Sequence, residues 1–473
     1  MAKIAFMGAG STVFAKSVLG DCMCSEAMRG STIALYDIDA GRLADSAAML
    51  ANLNGVLKAE MTIESHLGVG QRKDALRGAD YVVNAVQVGG YEPSTVIDFE
   101  IPKKFGLRQT IADTLGIGGI FRTLRTLPVV LDFGRDMQEV CPNALFINYS
   151  NPMAMLMMGF LRGTGLRGVG LCHSVQVCAP GLVVHSGLVD DWAAIDTKYP
   201  KFRWKIAGIN HQGWLLEIAD GETDLYPEIK RRWAEVGAVV AKKGVKAIRE
   251  DAQREHGDHW WTRDLTARLA GDAVRLEVMA RFGYYITESS EHSSEYMPWF
   301  IKRTHPELIE RYGIPLDEYP RRCVSQIEGW KAMRNDLVGN KSLTHSRSGE
   351  YASYIMEAIE SNKPYTFGGN VMNTGLITNL PAKACVEVLC VADRNGVRAT
   401  HVGDLPEPCA ALNRTNVNVQ ILTVEAVLTG RKDHVYQAAL MDPHTSAELS
   451  IDETVALCDE LFEAHGDMIP TMR

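Results

Sequence analysis

The chain has 473 residues, 46% hydrophobic and 23% charged, the balance of an ordinary globular protein with a large core. Its net charge of −9 comes without a basic tract, and no run of about 18 apolar residues occurs, so we expect neither a nucleic-acid partner nor a membrane partner. Ten cysteines without a framework spacing, and an N-terminus that runs into a strand without a leader sequence, predict a cytoplasmic protein.

The first element is an apolar strand over residues 3–7, followed at once by Gly8-Ala9-Gly10-Ser11-Thr12. Glycines at this spacing permit a tight turn and a close backbone approach to a pyrophosphate, at the N-terminus of the following helix. The usual third glycine is absent, because Val13 occupies its position.

The next strand, over residues 32–37, ends in Asp37. A carboxylate there accepts the ribose hydroxyls of NAD and repels the extra phosphate of NADP. The alternative is that Asp37 only caps a turn. The order of strand, turn, helix, strand and acid favours an NAD site. Its predicted residues are Gly8, Gly10, Ser11, Thr12 and Asp37.

The alternation of strands and helices continues and predicts an α/β fold. Residues 1–176 are expected to form a Rossmann-like domain, a doubly wound parallel sheet. Predicted helices cover 40–57, 124–140 and 153–162, and predicted strands cover 61–63, 79–86, 144–149 and 168–173.

Ligands bind at the carboxyl ends of the strands in such sheets. Three polar clusters follow predicted strands, and their common edge predicts a shared site. These are Gln87 with residues 89–92, residues 148–152, and Cys172 with His173. A glycine-rich loop over residues 112–122 lies between them and carries Asp113 and Arg122.

Beyond residue 177 the regular alternation ends, and residues 177–473 predict an α+β domain packed over the first. A strand over 202–208 delivers Asn210 and His211 to its end, and the apolar stretch 213–218 follows. Since no linker separates the halves, we expect a large interface. The other predicted elements are helices over 226–247, 265–280 and 413–462, a turn and strand within 370–391, and a hairpin turn at 393–396.

The metal chemistry of Cys172 and His211 has no support from local spacing, and a lone cysteine is more often a core residue. One thiolate and one imidazole are too few for structural zinc, which takes four protein ligands. A catalytic divalent ion such as manganese, completed by substrate oxygens, fits better. Residues 256–261 are interpreted first as a polar loop or subunit contact, and the titratable groups of 281–292 as the place for a general base.

Together these motifs resemble glycoside hydrolase family 4, an NAD-dependent family apart from the two-carboxylate glycosidases. The resemblance covers most of the chain and rests on residues 8–11, 148–152, 172–173, 208–211 and 373–381. Residues 87–93 and 171–180 are similar to the α-galactosidase (melibiase) branch.

The resemblance implies an NAD- and Mn²⁺-dependent α-galactosidase acting on melibiose-like α-galactosides. In the family, oxidation at sugar C3 precedes deprotonation at C2, elimination of the glycosidic oxygen, water addition and re-reduction. Cys172 and His211 would hold the metal together with the sugar's 2- and 3-oxygens, and His173 occupies the position of the family's acid. Homodimers or homotetramers are implied as well.

The remaining roles also follow from the resemblance. The base stays open within residues 282–296, and a 6-phosphate is not expected, because Tyr91-Glu92-Pro93 stands where phosphosugar members carry a basic residue. The assigned residues are Gln87 for the cofactor, Asn148, Asn151 and Asn210 for the substrate, and Asp113, Tyr285, Glu291 and His292 as catalytic candidates.

Other activities remain open. An α-glucosidase or α-uronidase of the same family would use the same motifs. A hydroxy-acid dehydrogenase would need an arginine clamp beside an Asp–His pair, and Arg122 is the one loop arginine that invites this interpretation. A regulator that only senses NAD is disfavoured, because many polar groups converge on the predicted cleft.

Overall fold

Thirteen strands form one sheet in the computed structural model, which describes residues 1–473. The strands are β1 (Lys3–Met7), β2 (Thr32–Asp37), β3 (Thr62–Leu67), β4 (Tyr81–Asn84), β5 (Leu145–Asn148), β6 (Gly168–Gly170), β7 (Phe202–Ile209), β8 (Gln212–Asp220), β9 (Thr223–Asp224), β10 (Tyr285–Ile286), β11 (Tyr365–Met372), β12 (Cys385–Asp393) and β13 (Gly396–Ala399). Their order is β10-β8-β7-β12-β11-β6-β5-β4-β1-β2-β3, with β13 beside β12 and β9 beside β8.

Helices cover both faces of this sheet, including the antiparallel end formed by β7, β8 and β10. They are α1 (Thr12–Met23), α2 (Ala40–Leu57), α3 (Arg72–Leu76), α4 (Val96–Lys104), α5 (Gly116–Val140), α6 (Met153–Thr164), α7 (His173–His185), α8 (Ala194–Lys198), α9 (Tyr226–Lys243), α10 (Val245–His256), α11 (Trp260–Arg263), α12 (Leu265–Ala270), α13 (Ala273–Phe282), α14 (Ser290–Glu295), α15 (Glu307–Tyr312), α16 (Glu318–Val338), α17 (Tyr351–Ser361), α18 (Glu407–Thr429), α19 (Asp433–Met441), α20 (Pro443–Glu448) and α21 (Ile451–His465). None of them combines the length and apolar character needed to cross a membrane.

The first six strands are parallel and confirm the predicted Rossmann-like sheet. Side chains alternate between the faces of a strand. Accordingly Ile4 and Phe6 of β1 join the core that includes α1 and α2, whereas Ala5 and Met7 join the core that includes α5 and α6. Both faces of the sheet are therefore buried.

The second half continues the same sheet with antiparallel strands. The register aligns Gly170 of β6 with Asn370 of β11, Asn370 with Glu387 of β12, and Glu387 with Gly208 of β7. These four residues lie at one level across four neighbouring strands. The three antiparallel pairings make β6 and β7 run in opposite directions across this level.

The interface between the two halves is extensive, as expected. Buried side chains of α18, α19 and α21 pack against α5 of the N-terminal half in one apolar cluster. The predicted boundary between residues 176 and 177 falls inside α7.

Several expectations about local structure were wrong. The segment 112–122 is not a loop throughout, because α5 begins at Gly116. Its glycines allow close packing: a Cβ at Gly118 would lie 2.4 Å from the carbonyl oxygen of Ala112. The helix predicted over 226–247 is two helices, because Gly244 adopts a φ of +78° between α9 and α10, and the helix predicted over 265–280 is likewise divided between α12 and α13.

A buried carboxylate lies at the shared level of the sheet. Glu387 has no exposed surface, and its Oε1 accepts hydrogen bonds from the side-chain amides of Asn210 (3.1 Å) and Asn370 (2.9 Å). Burial raises its pKa from 4.5 to about 7, although the two amide hydrogen bonds oppose the shift.

This pKa predicts a pH-dependent stability. Because the folded state binds the Glu387 proton more tightly than the unfolded state, its contribution is complete below pH 4.5 and is lost as the pH rises through about 7. The free energy of unfolding of Glu387→Gln should therefore increase relative to the wild type by up to about 3 kcal/mol across this window, as measured by urea unfolding. Glu425→Gln is the control. Its carboxylate has a lowered pKa despite partial burial, because Arg162 and Lys383 stabilise the charge, so its contribution changes only below pH 4.5 and the difference between Glu425→Gln and the wild type should stay constant across this window. A constant difference for Glu387→Gln would contradict the prediction.

Candidate active site

The turn between β7 and β8 consists of only Asn210 and His211. His211 adopts the left-handed conformation with a φ of +65°, which is costly for a residue other than glycine. Its ring is 3% exposed and both nitrogens have partners. Nε2 lies 3.3 Å from a carboxylate oxygen of Glu288, and Nδ1 lies 3.0 Å from the hydroxyl of Tyr296.

The predicted pair of Cys172 and His211 does meet in space. Cys172 immediately precedes α7, and its Sγ, a ring nitrogen of His211 and a carboxylate oxygen of Glu288 lie within 4.8 Å of one another. Burial lowers the pKa of His211, but Glu288 and Cys172 outweigh burial and raise it to about 10. A thiol, an imidazole and a carboxylate form a donor set for a divalent transition metal.

His211 also belongs to a second group with Asp113 and His292, again within 4.8 Å. Asp113 accepts hydrogen bonds from the hydroxyl of Thr114 at 2.7 Å and from the side-chain amide of Asn151 at 3.2 Å. Burial opposes its ionisation, yet His292, Arg122 and His211 together lower its pKa. Asp113 is therefore a carboxylate held beside imidazole rings.

Tyr296 connects the two histidines. Its hydroxyl lies 2.6 Å from Nδ1 of His292 and 3.0 Å from Nδ1 of His211. A consistent pattern has both His211 and His292 donating from Nδ1 to the phenol oxygen, which can accept two hydrogen bonds. Burial lowers the pKa of His292, so its Nε2 carries a free lone pair near neutral pH.

Two of the three candidate bases have other contacts. Tyr285 packs in the apolar core with no exposed surface, and its hydroxyl donates to Asp272. Glu291 pairs with Arg322 at 2.6 Å. His292 is therefore the remaining candidate base, and it lies beside Asp113 and His211.

His173 is the first residue of α7, and its side chain is 53% exposed. Its Nε2 lies 2.9 Å from both carboxylate oxygens of Glu350. This hydrogen bond raises the pKa of His173, more than burial lowers it. The ring is therefore protonated over a wider pH range than an unpaired histidine.

The predicted dinucleotide turn has the geometry that the motif requires. Gly8 adopts a φ of +91°, and a Cβ there would lie 2.9 Å from the backbone of Ala85. The backbone N–H of Gly10 donates to Asp37 at 2.6 Å, so the acid lies directly beside the turn. Ser11 is exposed in front of α1, whereas the buried hydroxyl of Thr12 bonds to that of Ser46.

Of the three residues predicted to bind the substrate, two are buried and one is partly exposed. Asn148 is fully buried, and its amide bonds to Asn84 and to the backbone of Ser150, so it stabilises the turn after β5. Asn210 points to Glu387 in the interior. Asn151 is partly exposed and contacts Asp113, as a ligand-facing residue should.

Gln87, predicted for the cofactor, is exposed, and its amide nitrogen lies 3.5 Å from the hydroxyl of Thr95. It follows β4 at the carboxyl edge of the parallel strands. Its side chain therefore remains free to contact a ligand there.

The sequence did not single out three residues that contact the predicted site residues. Glu288 and Tyr296 contact His211, and Glu350 contacts His173. Glu288 and Tyr296 lie in or beside the stretch already marked by its density of titratable groups, but nothing in the spacing distinguishes them from Tyr285 or Glu291. Glu350 precedes α17, far along the chain from His173, and no local signal connects the two.

Comparisons with known proteins found similar sequences and similar structures. Two family models match the chain, "Family 4 glycosyl hydrolase" over residues 3–186 and "Family 4 glycosyl hydrolase C-terminal domain" over residues 206–445. The chain is 55% identical to an α-galactosidase of Bacillus subtilis (strain 168) over 470 residues, 99% of both chains. It is 32% identical to an α-galactosidase of Rhizobium meliloti (strain 1021) over 480 residues, 99% of this chain and 89% of the relative.

Among solved structures, a 6-phospho-α-glucosidase from gut microorganisms in complex with NAD and Mn²⁺ is similar over all of both chains. The TM-score is 0.72 and the sequence identity 21%. The likeness extends across both halves of the sheet, which supports a shared fold.

The ion pair at His173 generates a prediction. Glu350→Gln removes the acceptor that raises the pKa of His173, so this pKa should fall towards its ordinary value of 6.5. NMR titration of the histidine ring protons, assigned with His173→Asn, measures the shift. Glu357→Gln removes a carboxylate on α17 that pairs with Arg347 instead, and should leave the titration unchanged. An unaltered pKa in Glu350→Gln would show that the contact is not made in solution.

Proposed function

The chain belongs to family 4 of the glycosyl hydrolases, and from this premise we propose that it is an α-galactosidase that hydrolyses melibiose-like α-galactosides with NAD and Mn²⁺. The proposal rests mainly on one observation: Cys172 and His211 lie close together in a protein whose parallel sheet has the turn and the acid of a dinucleotide site. The choice of galactoside rests on the 55% identity to the Bacillus subtilis enzyme across 99% of both chains.

Gly8, Gly10, Ser11 and Asp37 would hold NAD, and Gln87 would contact it from the neighbouring strand end. The positive φ of Gly8 and the absence of a Cβ there leave the backbone open to a pyrophosphate at the start of α1. The carboxylate of Asp37 is the ribose acceptor that discriminates against a 2′-phosphate.

Cys172 and His211 would hold the metal, with Glu288 as a third protein donor. Three protein ligands leave coordination positions for substrate oxygens, as a catalytic site needs. When bound, NAD supplies reversible oxidation at sugar C3 and the metal supplies a Lewis acid for the oxygens at C2 and C3. Tyr296 fixes the tautomer of His211 by accepting a hydrogen bond from its Nδ1.

We assign the base to His292. Tyr296 holds its Nδ1, which leaves Nε2 to accept the proton from C2. The lowered pKa keeps the ring neutral before the reaction, and the neighbouring carboxylate of Asp113 stabilises the imidazolium that forms. Asn151, held by Asp113, is available to a sugar hydroxyl.

His173 acts as the acid on the departing glycosidic oxygen. Its partner Glu350 keeps it protonated and orients Nε2. Half of its side chain faces solvent, which suits a residue that serves the leaving group rather than the enclosed sugar.

A uronide is the second candidate substrate, and Arg122 favours it. Arg122 is 7% exposed, and its guanidinium contacts the backbone oxygen of Asn151 and the hydroxyl of Tyr319, but no carboxylate lies within 4.0 Å of it. Asp113 and Asp98 stabilise its charge at longer range, and the guanidinium is available to pair directly with the carboxylate of a galacturonide.

A panel of 4-nitrophenyl glycosides tests the proposal. We expect cleavage of the α-galactoside in preference to the α-glucoside and the α-galacturonide. Activity should require NAD, Mn²⁺ and a thiol reductant, without net NADH formation. Hydrolysis that survives Cys172→Ala and full chelation would refute it, and stoichiometric NADH release would favour a dehydrogenase.

The assignment of the base is tested in deuterated water. Wild-type enzyme should introduce deuterium at C2 of the released galactose, as read by NMR. His292→Gln should lose this exchange and about 10²–10⁴-fold in kcat. Tyr285→Phe removes a hydroxyl bonded to Asp272 in the core and should retain exchange. Undiminished exchange in His292→Gln would assign the base elsewhere.

A further inference from the structure

A fully enclosed carboxylate joins two segments of the candidate active site that are distant in the sequence. Glu295, 3% exposed, ends α14. Its Oε2 accepts hydrogen bonds from the backbone N–H groups of Thr110 (2.8 Å) and Ile111 (3.2 Å), and its Oε1 accepts one from Ala112 (2.8 Å). Three consecutive N–H groups that converge on one anion form a concave backbone binding site for that anion.

The segment that Glu295 binds leads directly to Asp113. Ala112 adopts a φ of +54°, which a residue with a Cβ rarely takes up, so this backbone needs an external constraint. Gly118 of α5 packs against Ala112 on one side, and α14 supplies Glu295 and a further bond, from the hydroxyl of Thr110 to the backbone oxygen of Glu291 at 2.7 Å.

The helix that carries Glu295 also carries the proposed base. His292 and Glu295 are three residues apart on α14, a spacing that places two side chains on neighbouring parts of one helix face. Tyr296 follows directly. One carboxylate thus connects the backbone before Asp113 to the element that holds His292 and Tyr296.

We propose that Glu295 is a positioning residue, which holds the Asp113 segment against α14 and thereby sets the distance from Asp113 to His292 and His211. The anchoring follows from the contacts alone. Its consequence for turnover rests on the proposed function, in which Asp113 stabilises the imidazolium of His292.

The positioning role of Glu295 is tested with Glu295→Gln in the full-length enzyme. An amide has one acceptor oxygen and turns an NH₂ group towards at least one of the three backbone donors, so the anchor is lost with almost no change in volume. Glu425→Gln is the matched control, since it removes a partly buried carboxylate of α18 that accepts only from side chains, Arg162 and Lys383.

The first readout is hydrogen exchange by mass spectrometry, which is independent of any substrate. Exchange of the amides of residues 110–112 should accelerate at least tenfold in Glu295→Gln and remain unchanged in Glu425→Gln. NAD affinity, measured by fluorescence, should stay within twofold of the wild type. Unaltered exchange would overturn the proposal.

The second readout is a double-mutant cycle on hydrolysis. Glu295→Gln should lower kcat at least tenfold in the wild type and less than twofold in an Asp113→Asn background, because the anchor acts through Asp113. Fully additive losses would mean that Glu295 serves general stability and would overturn the proposal. If the wild type cleaves no α-galactoside, the proposed function fails, and the exchange measurement alone decides on Glu295.

A second variant covers the case in which Glu295→Gln does not fold. Glu295→Asp keeps the charge but shortens the side chain by one methylene, so it cannot reach all three donors. It should show the same local acceleration of exchange and the same non-additivity with Asp113→Asn, to a smaller degree. Normal exchange in this variant would also overturn the proposal.

Discussion

The shared level of Gly170, Asn370, Glu387 and Gly208 across four strands is the constraint on which the site depends. Cys172 follows β6 of the parallel half, and His211 follows β7 of the antiparallel half. A shift in register by two residues between any of these strands would displace the thiol and the imidazole relative to one another by about 7 Å. The distance between the two proposed metal ligands therefore depends on strand register.

The constraint is enforced by polar groups in the interior. Glu387 binds the amide of Asn210 and thus ties the His211 turn to β12, while Asn370 binds the same carboxylate oxygen from β11. Glu295 does the equivalent for the Asp113 segment. Burying a carboxylate is expensive unless its oxygens find donors. Both oxygens of Glu295 have donors, whereas Glu387 has them only at Oε1, and in both cases the donors come from strands or segments that must be held together.

The sequence was sufficient to predict the parallel sheet, the glycine turn beside Asp37 and the proximity of Cys172 to His211. Strand and helix periodicity determines the first, and Gly8, Gly10 and Asp37 are close enough in sequence for spacing to be informative. It was insufficient for the base. Tyr285 and Tyr296 have similar local surroundings in the sequence, and only the tertiary structure shows that one bonds to Asp272 in the core and the other to two histidines. The contact between Glu350 and His173 could not be predicted either, because the two residues are 177 positions apart in the sequence.

The helix α7 passes through the predicted domain boundary, and the sheet continues across it without interruption. Enzymes with two separate lobes often open and close about a hinge, but here the strands that lead to the proposed cofactor turn and to the proposed metal turn are hydrogen-bonded in one sheet. Access to the site must therefore depend on loops at its rim. A chain cut near residue 176 would leave β6 and β11 as bare sheet edges, and neither half could be exchanged as a module.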